Sequence, residues 1–206
     1  MKFKDLKRSA LNKLKGNFGM AIAVVVVNAL ILGAVGSTGA SLILTGPMSV
    51  GAACFFLHIA RSEKADIDDL FKGFKDFTGN LVLGLLYTVF VGLWTLLFII
   101  PGVIKGLGWS LIYYIKNDHP DYDYKKAMET SAKWMYGHKW ELFKLGLSFI
   151  GWYLLSILTL GILLLWVVPY TTATMTEYYE YIKSLNEPTP VEDTFESVEE
   201  SNEFAF

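Results

Sequence analysis

Residues 81–117 read LVLGLLYTVFVGLWTLLFIIPGVIKGLGWSLIYYIKN, with no acidic residue and only Lys105 and Lys116 as basic ones. One bilayer crossing takes about 20 apolar residues, because roughly 30 Å of hydrocarbon is spanned at 1.5 Å per residue. The stretch is too long for one crossing and long enough for two. Pro101-Gly102 marks a turn near its middle, and Gly92 is an alternative apex. Two other apolar blocks, 18–60 and 140–182, have similar length. Their turn residues are Gly36-Ser37-Thr38-Gly39 and Thr159-Leu160-Gly161. The expected fold is an all-α membrane protein with six transmembrane helices arranged as three hairpins.

The composition agrees. The chain has 206 residues, 53% hydrophobic and 18% charged, with a mean hydropathy of +0.39. A soluble domain carries about 25% charged residues. A disordered chain is excluded, and an ordinary soluble enzyme is disfavoured. The basic start (Lys2, Lys4, Lys7, Arg8, Lys13, Lys15) followed by an apolar stretch resembles a signal peptide. Its length, its helical periodicity and the further apolar runs predict that it is retained.

Charge gives the orientation. Lys and Arg lie before the first block, in the connector 61–75 (Arg61, Lys64, Lys72, Lys75), around the second connector (Lys116, Lys125, Lys126, Lys133, Lys139, Lys144) and at Lys183. Only Lys105 of the 18 falls near a hairpin apex. The positive-inside rule then puts both termini in the cytoplasm. Residues 1–183 form a single membrane domain. Residues 184–206 hold seven acids and no Lys or Arg, and read as an acidic disordered tail whose Glu203-Phe204-Ala205-Phe206 end suits a docking peptide. No basic stripe of a nucleic-acid-binding module is present.

The segments between blocks are amphipathic. Phe3, Leu6, Ala10 and Leu14 make one apolar stripe. Ile67, Leu70, Phe71, Phe74 and Phe77 make a second, and Tyr124, Ala127, Met128, Ser131 and Trp134 a third. Such helices are expected to lie in the headgroup plane on the cytoplasmic side. Each ends in Gly plus Asn or His: Gly16-Asn17, Gly79-Asn80 and Gly137-His138. A glycine there permits the left-handed conformation that turns the chain into the bilayer. A proline follows in each unit, at Pro47, Pro101 and Pro169. The pattern predicts a pseudo-threefold internal repeat, with units of about 1–61, 62–118 and 119–183.

Chemistry-bearing patterns are sparse. Cys54 is the single cysteine, so neither a disulfide nor a zinc site built on cysteine pairs is available. His58, His119 and His138 are far apart and make no HExxH pattern. Asp66-Ile67-Asp68-Asp69 and Asp121-Tyr122-Asp123 suit helix N-capping; the competing reading of the first is Mg²⁺ with a diphosphate. Lys105 either snorkels to the outer surface or pairs inside the bundle, with Glu177 the nearest candidate by type. The run Tyr170–Glu177 is too polar to face lipid all round. It serves either interhelical hydrogen bonding or a polar cavity, and Asn28 has the same two readings. Asn28, Lys105, Thr172, Thr176 and Glu177 form the candidate intramembrane polar set. No catalytic residue, metal ligand or cofactor site is expected.

Several strings resemble an uncharacterised bacterial membrane family, domain of unknown function 975. They are Leu14-Lys15-Gly16-Asn17-Phe18-Gly19, Gly46-Pro47, Leu70-Phe71-Lys72-Gly73-Phe74, the run from Leu93 to Gly102, Leu147–Trp152, Thr159–Ile162, and Pro169-Tyr170 with Glu177-Tyr178-Tyr179. The resemblance covers about 1–183 and implies a six-helix membrane protein. It supplies no activity and no site residues. The expected function is a non-enzymatic plasma-membrane protein acting through lipids or a membrane-protein partner, of accessory, envelope-stress or immunity type. The alternatives are a small transporter or lipid-handling protein whose cavity the last helix lines, and an enzyme using Asp66, Asp68 and Asp69 with Mg²⁺.

Overall fold

The computed structural model describes residues 3–36, 41–97 and 99–187. The expected first apex at Ser37-Thr38-Gly39 and the docking peptide of the tail lie outside these residues. Among the described residues there is no strand. The helices are α1 (Phe3–Leu14), α2 (Phe18–Ala34), α3 (Ser41–Ala60), α4 (Phe77–Leu97), α5 (Ile99–Gly108), α6 (Ile112–Asp118), α7 (Tyr124–Trp134), α8 (Lys139–Leu147), α9 (Ile150–Leu158) and α10 (Leu164–Asn186), with a 3₁₀ helix at Ile67–Phe74. The first three residues of the expected tail, 184–186, thus continue α10.

Three stretches are long and apolar enough to cross a membrane: Ser41–Ala60, Phe77–Leu97 and Lys139–Leu158. A fourth is added if α1 and α2, bent by 94° at Gly16, count as one broken span. Their burial differs sharply. Of the apolar window in α3, 56% is buried, against 17% in α4 and 22% in α8–α9. α3 is therefore the central post, and it packs against α1, α2, α4, α6, α10 and the 3₁₀ helix.

Glycine makes that packing possible. A Cβ on Gly51 would sit 1.8 Å from the Leu70 carbonyl oxygen, and one on Gly46 would sit 1.9 Å from that of Asn80. A Cβ on Gly73 would sit 1.9 Å from the Pro47 carbonyl oxygen. Backbone lies against backbone, and no side chain fits between.

The amphipathic stripes point inward as expected, but the surface that covers them is largely protein. Leu6, Ala10 and Leu14 are buried, with α1 packed on α10 and α3. Leu70 is buried against α3, while Phe71 and Phe77 stay exposed. Ala127, Met128, Ser131 and Trp134 of α7 are buried as well. Ser131 closes the break between α5 and α6: its hydroxyl donates to the Gly108 carbonyl at 2.8 Å and accepts from the Leu111 amide at 3.3 Å.

The units differ in how they turn. Gly16 and Gly137 adopt φ of +92° and +85°, as the repeat pattern requires. Gly79 does not; it lies inside the first turn of α4. There Asp76 supplies the turn instead, its carboxylate accepting from the Gly79 amide at 3.1 Å as an N-cap. The middle interfacial segment is correspondingly a 3₁₀ helix rather than an α-helix. α4 ends at Leu97 and α5 begins at Ile99, so Gly92 is interior to α4 and the expected turn at Pro101-Gly102 is helical. Pro101 occupies the first turn of α5, where its missing N–H costs nothing. The third apex is where expected: Leu160 and Gly161 have positive φ, and the Gly161 amide donates to the Ser156 carbonyl at 2.8 Å.

Gly51→Ala should lower stability by about 1–3 kcal/mol, because helix and 3₁₀ segment must separate. Gly19→Ala, with open space at its Cβ, should cost nothing. Thermal unfolding of both variants in the same detergent checks the contrast.

A pH effect follows from Asp76. The Lys116 ammonium, 2.8 Å away, holds its carboxyl below the usual range. A carboxyl lowered in the folded state stabilises above its unfolded pKa of about 3.9 and loses that contribution as pH falls through the folded value. The unfolding temperature should drop more steeply below about pH 4 in the native chain than in Asp76→Asn.

Candidate functional site: the polar last helix

α10 is the polar helix of the bundle. Its threonine hydroxyls turn back on their own helix: Thr171 and Thr172 to the Val168 carbonyl, Thr174 to Tyr170, and Thr176 to Thr172, at 2.8–3.0 Å. That is the usual way for threonine to satisfy its hydroxyl in an apolar setting. Thr176 is fully buried and reaches the Tyr114 hydroxyl at 3.4 Å.

Glu177 has a partner, but not Lys105. Ser9 donates to it at 2.8 Å, and the Lys13 ammonium lies 2.8 Å from its other oxygen. Ser9 and Lys13 are four residues apart and share one face of α1. Lys13 also donates to the Ala60 carbonyl at 2.6 Å, so one lysine ties α1, α3 and α10 together. Lys105 is exposed on α5, with its ammonium 5.9 Å from the Trp94 ring centre and 5.5 Å from that of Trp109. Asn28 is half-buried on α2, and its carbonyl oxygen has no hydrogen-bond partner among the described residues. The five sequence candidates therefore divide. Thr172, Thr176 and Glu177 share α10, Asn28 sits on a helix packed against it, and Lys105 stands apart beside tryptophans.

Two features escaped the sequence reading. The first is an ionic hub at the ends of three helices. Asp118, last in α6, accepts two hydrogen bonds from Arg61 at 2.7 and 2.8 Å, one from the Tyr179 hydroxyl at 2.8 Å, and one from Lys183. Arg61 also donates to Glu180 at 2.9 Å. The Asp118 side chain is only 7% exposed. Arg61, Asp118 and Lys183 are the last residues of the three units drawn from the sequence. Their shared position was the available signal; Arg61 and Lys183 were counted only as topological charges, and Asp118 was passed over.

The second feature is a cleft of about 360 Å³ between α8–α9 and α10. Leu142, Leu145, Gly146, Phe149 and Tyr153 form one wall, and Tyr114, Thr171, Thr172 and Met175 the other. The Tyr153 hydroxyl lies 3.1 Å from that of Thr171. At the Phe149 edge, the Lys7 ammonium sits 3.9 Å from the ring centre and donates to the Ser148 carbonyl at 3.3 Å. The cleft thus has largely apolar walls with a few hydroxyls, and a cation lies against one of its lining residues, Phe149.

The acidic run does what capping requires. Asp66 accepts from the Ile67 amide, and Asp69 accepts from the Asp66 amide at 2.9 Å, completing a capping box. Burial pushes the Asp69 carboxyl up, but its bonds to the Asp66 amide, Lys72 and His58 outweigh that and hold it below its ordinary range. Asp68 is exposed. Asp123 caps α7 through the Lys126 amide at 2.8 Å.

These observations define the class: among the described residues, an all-helical protein with three or four candidate membrane spans, of which α3 is the most buried. Residues 96–186 match the model of a family described as protein of unknown function (DUF975). The sequence resemblance holds over that part, which contains the cleft walls, Asp118 and Lys183. No curated protein and no solved structure matches the chain.

Asp118→Asn should cost about 2 kcal/mol, below the 3–5 of a fully buried pair because Arg61 and Lys183 can re-solvate. Tyr179→Phe should cost about 1 kcal/mol. The double variant should lose less than the sum, since both act on one hub, and a double-mutant cycle on unfolding temperature reads this directly.

Proposed function

We propose that this chain is a non-enzymatic integral protein of the bacterial plasma membrane that holds an anionic lipid in the cleft beside α10. The observation that carries the reading is the pairing of that cleft with Lys7. About 360 Å³ of apolar space suits an acyl chain or part of one. An ammonium at its edge suits a phosphate headgroup.

The surface supports the membrane reading. Leu96, Ile100, Ile157, Leu158, Leu160 and Ile162 are between 73% and 94% exposed, and all cluster at the hairpin tips. So large an apolar surface is costly in water and costs nothing in hydrocarbon. The finer architecture belongs to the same proposal: six crossings in a pseudo-threefold arrangement, with both termini cytoplasmic. It is supported by the charge distribution, by the positive φ at Gly16 and Gly137, and by the meeting of Arg61, Asp118 and Lys183. A transport path along α10 is less well supported, because its threonine hydroxyls are bonded to their own helix.

The test is native mass spectrometry of the full chain, released in mild detergent and mixed with phosphatidylglycerol or phosphatidylcholine. The phosphatidylglycerol adduct should dominate. Thr172→Trp, which fills the cleft, should reduce it several-fold. Lys7→Gln should remove the preference for the anionic lipid. Equal adducts in the native chain and Thr172→Trp would overturn the assignment.

A further inference from the structure

The last turns of α3 carry Cys54 and His58, four residues apart and hence on one face. The chain then leaves the helix through Ser62, whose φ is +59°, and the Glu63 amide donates to the His58 carbonyl at 2.8 Å. This Schellman-type closure folds Glu63 back over the helix end. Its carboxylate oxygen lies 3.7 Å from His58 Nε2. Cys54 Sγ lies 4.0 Å from the same nitrogen.

The other ring nitrogen is committed. His58 Nδ1 is 2.8 Å from Asp69 Oδ2. Asp69 is itself fixed by the Asp66 amide and by Lys72 at 2.6 Å, with its side chain 5% exposed. A carboxylate at Nδ1 makes that nitrogen the proton donor and leaves the Nε2 lone pair free. The free lone pair faces a thiol and a second carboxylate.

The Cys54 thiol reaches Nε2 only at the long 4.0 Å of a sulfur hydrogen bond, and Glu63 approaches the same nitrogen without bonding to it. A separation of 3.7 Å is too long for a nitrogen–oxygen hydrogen bond. It is close to the spacing of ligands around one ion. Tetrahedral zinc, with bonds of about 2.3 Å to sulfur and about 2.0–2.1 Å to nitrogen and oxygen, sets S···N near 3.5 Å and N···O near 3.4 Å. The two distances to Nε2 close to that with a shift of about half an ångström or less; the compact ligand group here is Cys54, His58 and Asp69, so the Glu63 carboxylate must also swing toward Cys54. The Glu63 side chain is 55% exposed and free to make the adjustment. A histidine ligand whose far nitrogen is held by a carboxylate is also the usual outer arrangement of zinc sites.

We propose that Cys54, His58 and Glu63 bind one divalent transition-metal ion of the zinc class, with Asp69 as the carboxylate that orients His58. Three protein ligands leave a fourth position for water on the exposed Glu63 side. Bound there, the ion fixes the turn that leads from α3 to Arg61 and the Asp118 hub. The site is independent of the lipid cleft.

Cobalt titration of the full-length protein in detergent tests the assignment, since tetrahedral cobalt with a thiolate ligand gives a sulfur-to-metal charge-transfer band. The native chain should bind one Co²⁺ with that band, and Zn²⁺ should displace it. Cys54→Ser should abolish the band while leaving the metal-free unfolding temperature unchanged. His58→Gln should weaken binding at least 100-fold, and Asp69→Asn about 10–100-fold. Glu63→Gln, at an exposed position that leaves the fold intact, should weaken binding too. The proposal is overturned if uptake does not saturate, if cobalt binds without the charge-transfer band, or if Cys54→Ser and Glu63→Gln both bind as the native chain does.

Discussion

The 3₁₀ helix and α4 are assembled on the bare backbone of α3 at Gly51 and Gly46. The Leu70 and Asn80 carbonyls come so close that a single methyl group could not be accommodated. Between membrane helices there is no hydrophobic drive to association, since lipid is as apolar as leucine. Close contact of backbones replaces it, through dispersion forces that need atoms within about 4 Å. The 3₁₀ helix and α4 are held this way. Once they are in place, Asn80 is buried and its amide donates to the Gly73 carbonyl at 2.6 Å, which fixes α4 against the 3₁₀ helix.

Much of the architecture was legible because periodicity and punctuation report it directly. The apolar blocks, the third apex at Leu160-Gly161 and the capping role of Asp66 and Asp123 each rest on a local rule. The middle unit was misread where two local signals compete. Gly79 looks like its counterparts Gly16 and Gly137, but Asp76 three residues earlier offers the amide a cap, and the helix starts instead of ending there. The amphipathic stripes were right in phase and incomplete in partner. A stripe states which face is apolar, and only the tertiary structure states whether lipid or α3 and α10 cover it.

The site was less legible, for a physical reason. Lys105 and Glu177 drew attention as charges in apolar blocks, and charge sign suggested pairing them. Distance decides otherwise: Lys13 of α1 reaches Glu177, and Lys105 rests beside Trp94 and Trp109. Asp118 was inconspicuous because one carboxylate at a helix end is ordinary. Its importance comes from the convergence of Arg61 and Lys183, 57 and 65 residues away along the chain. Cys54 and His58 sit at a spacing that sequence does display, but Glu63 and Asp69 reach them only through the turn after α3.

Glycine contacts along α3 and ionic ties at the helix ends divide the work unevenly among the hairpins. The first two are bound to the post by backbone contact or by Lys13. In the third, the arm α8–α9 has only 22% of its apolar window buried and meets α10, the other arm, along few residues. Its polar attachments lie at its start and middle: the Tyr178 hydroxyl on the His138 carbonyl at 3.1 Å, Lys7 on the Ser148 carbonyl, and the Tyr153 hydroxyl 3.1 Å from that of Thr171. An arm held by a few polar ties and with little apolar burial is the part of the bundle that can move at least cost, since it gives up little packing. The cleft lies at that loose joint. Whatever occupies the cleft therefore meets one wall that is stiff, α10, and one that yields, and its fit is decided by how far α8–α9 moves rather than by any change in the core.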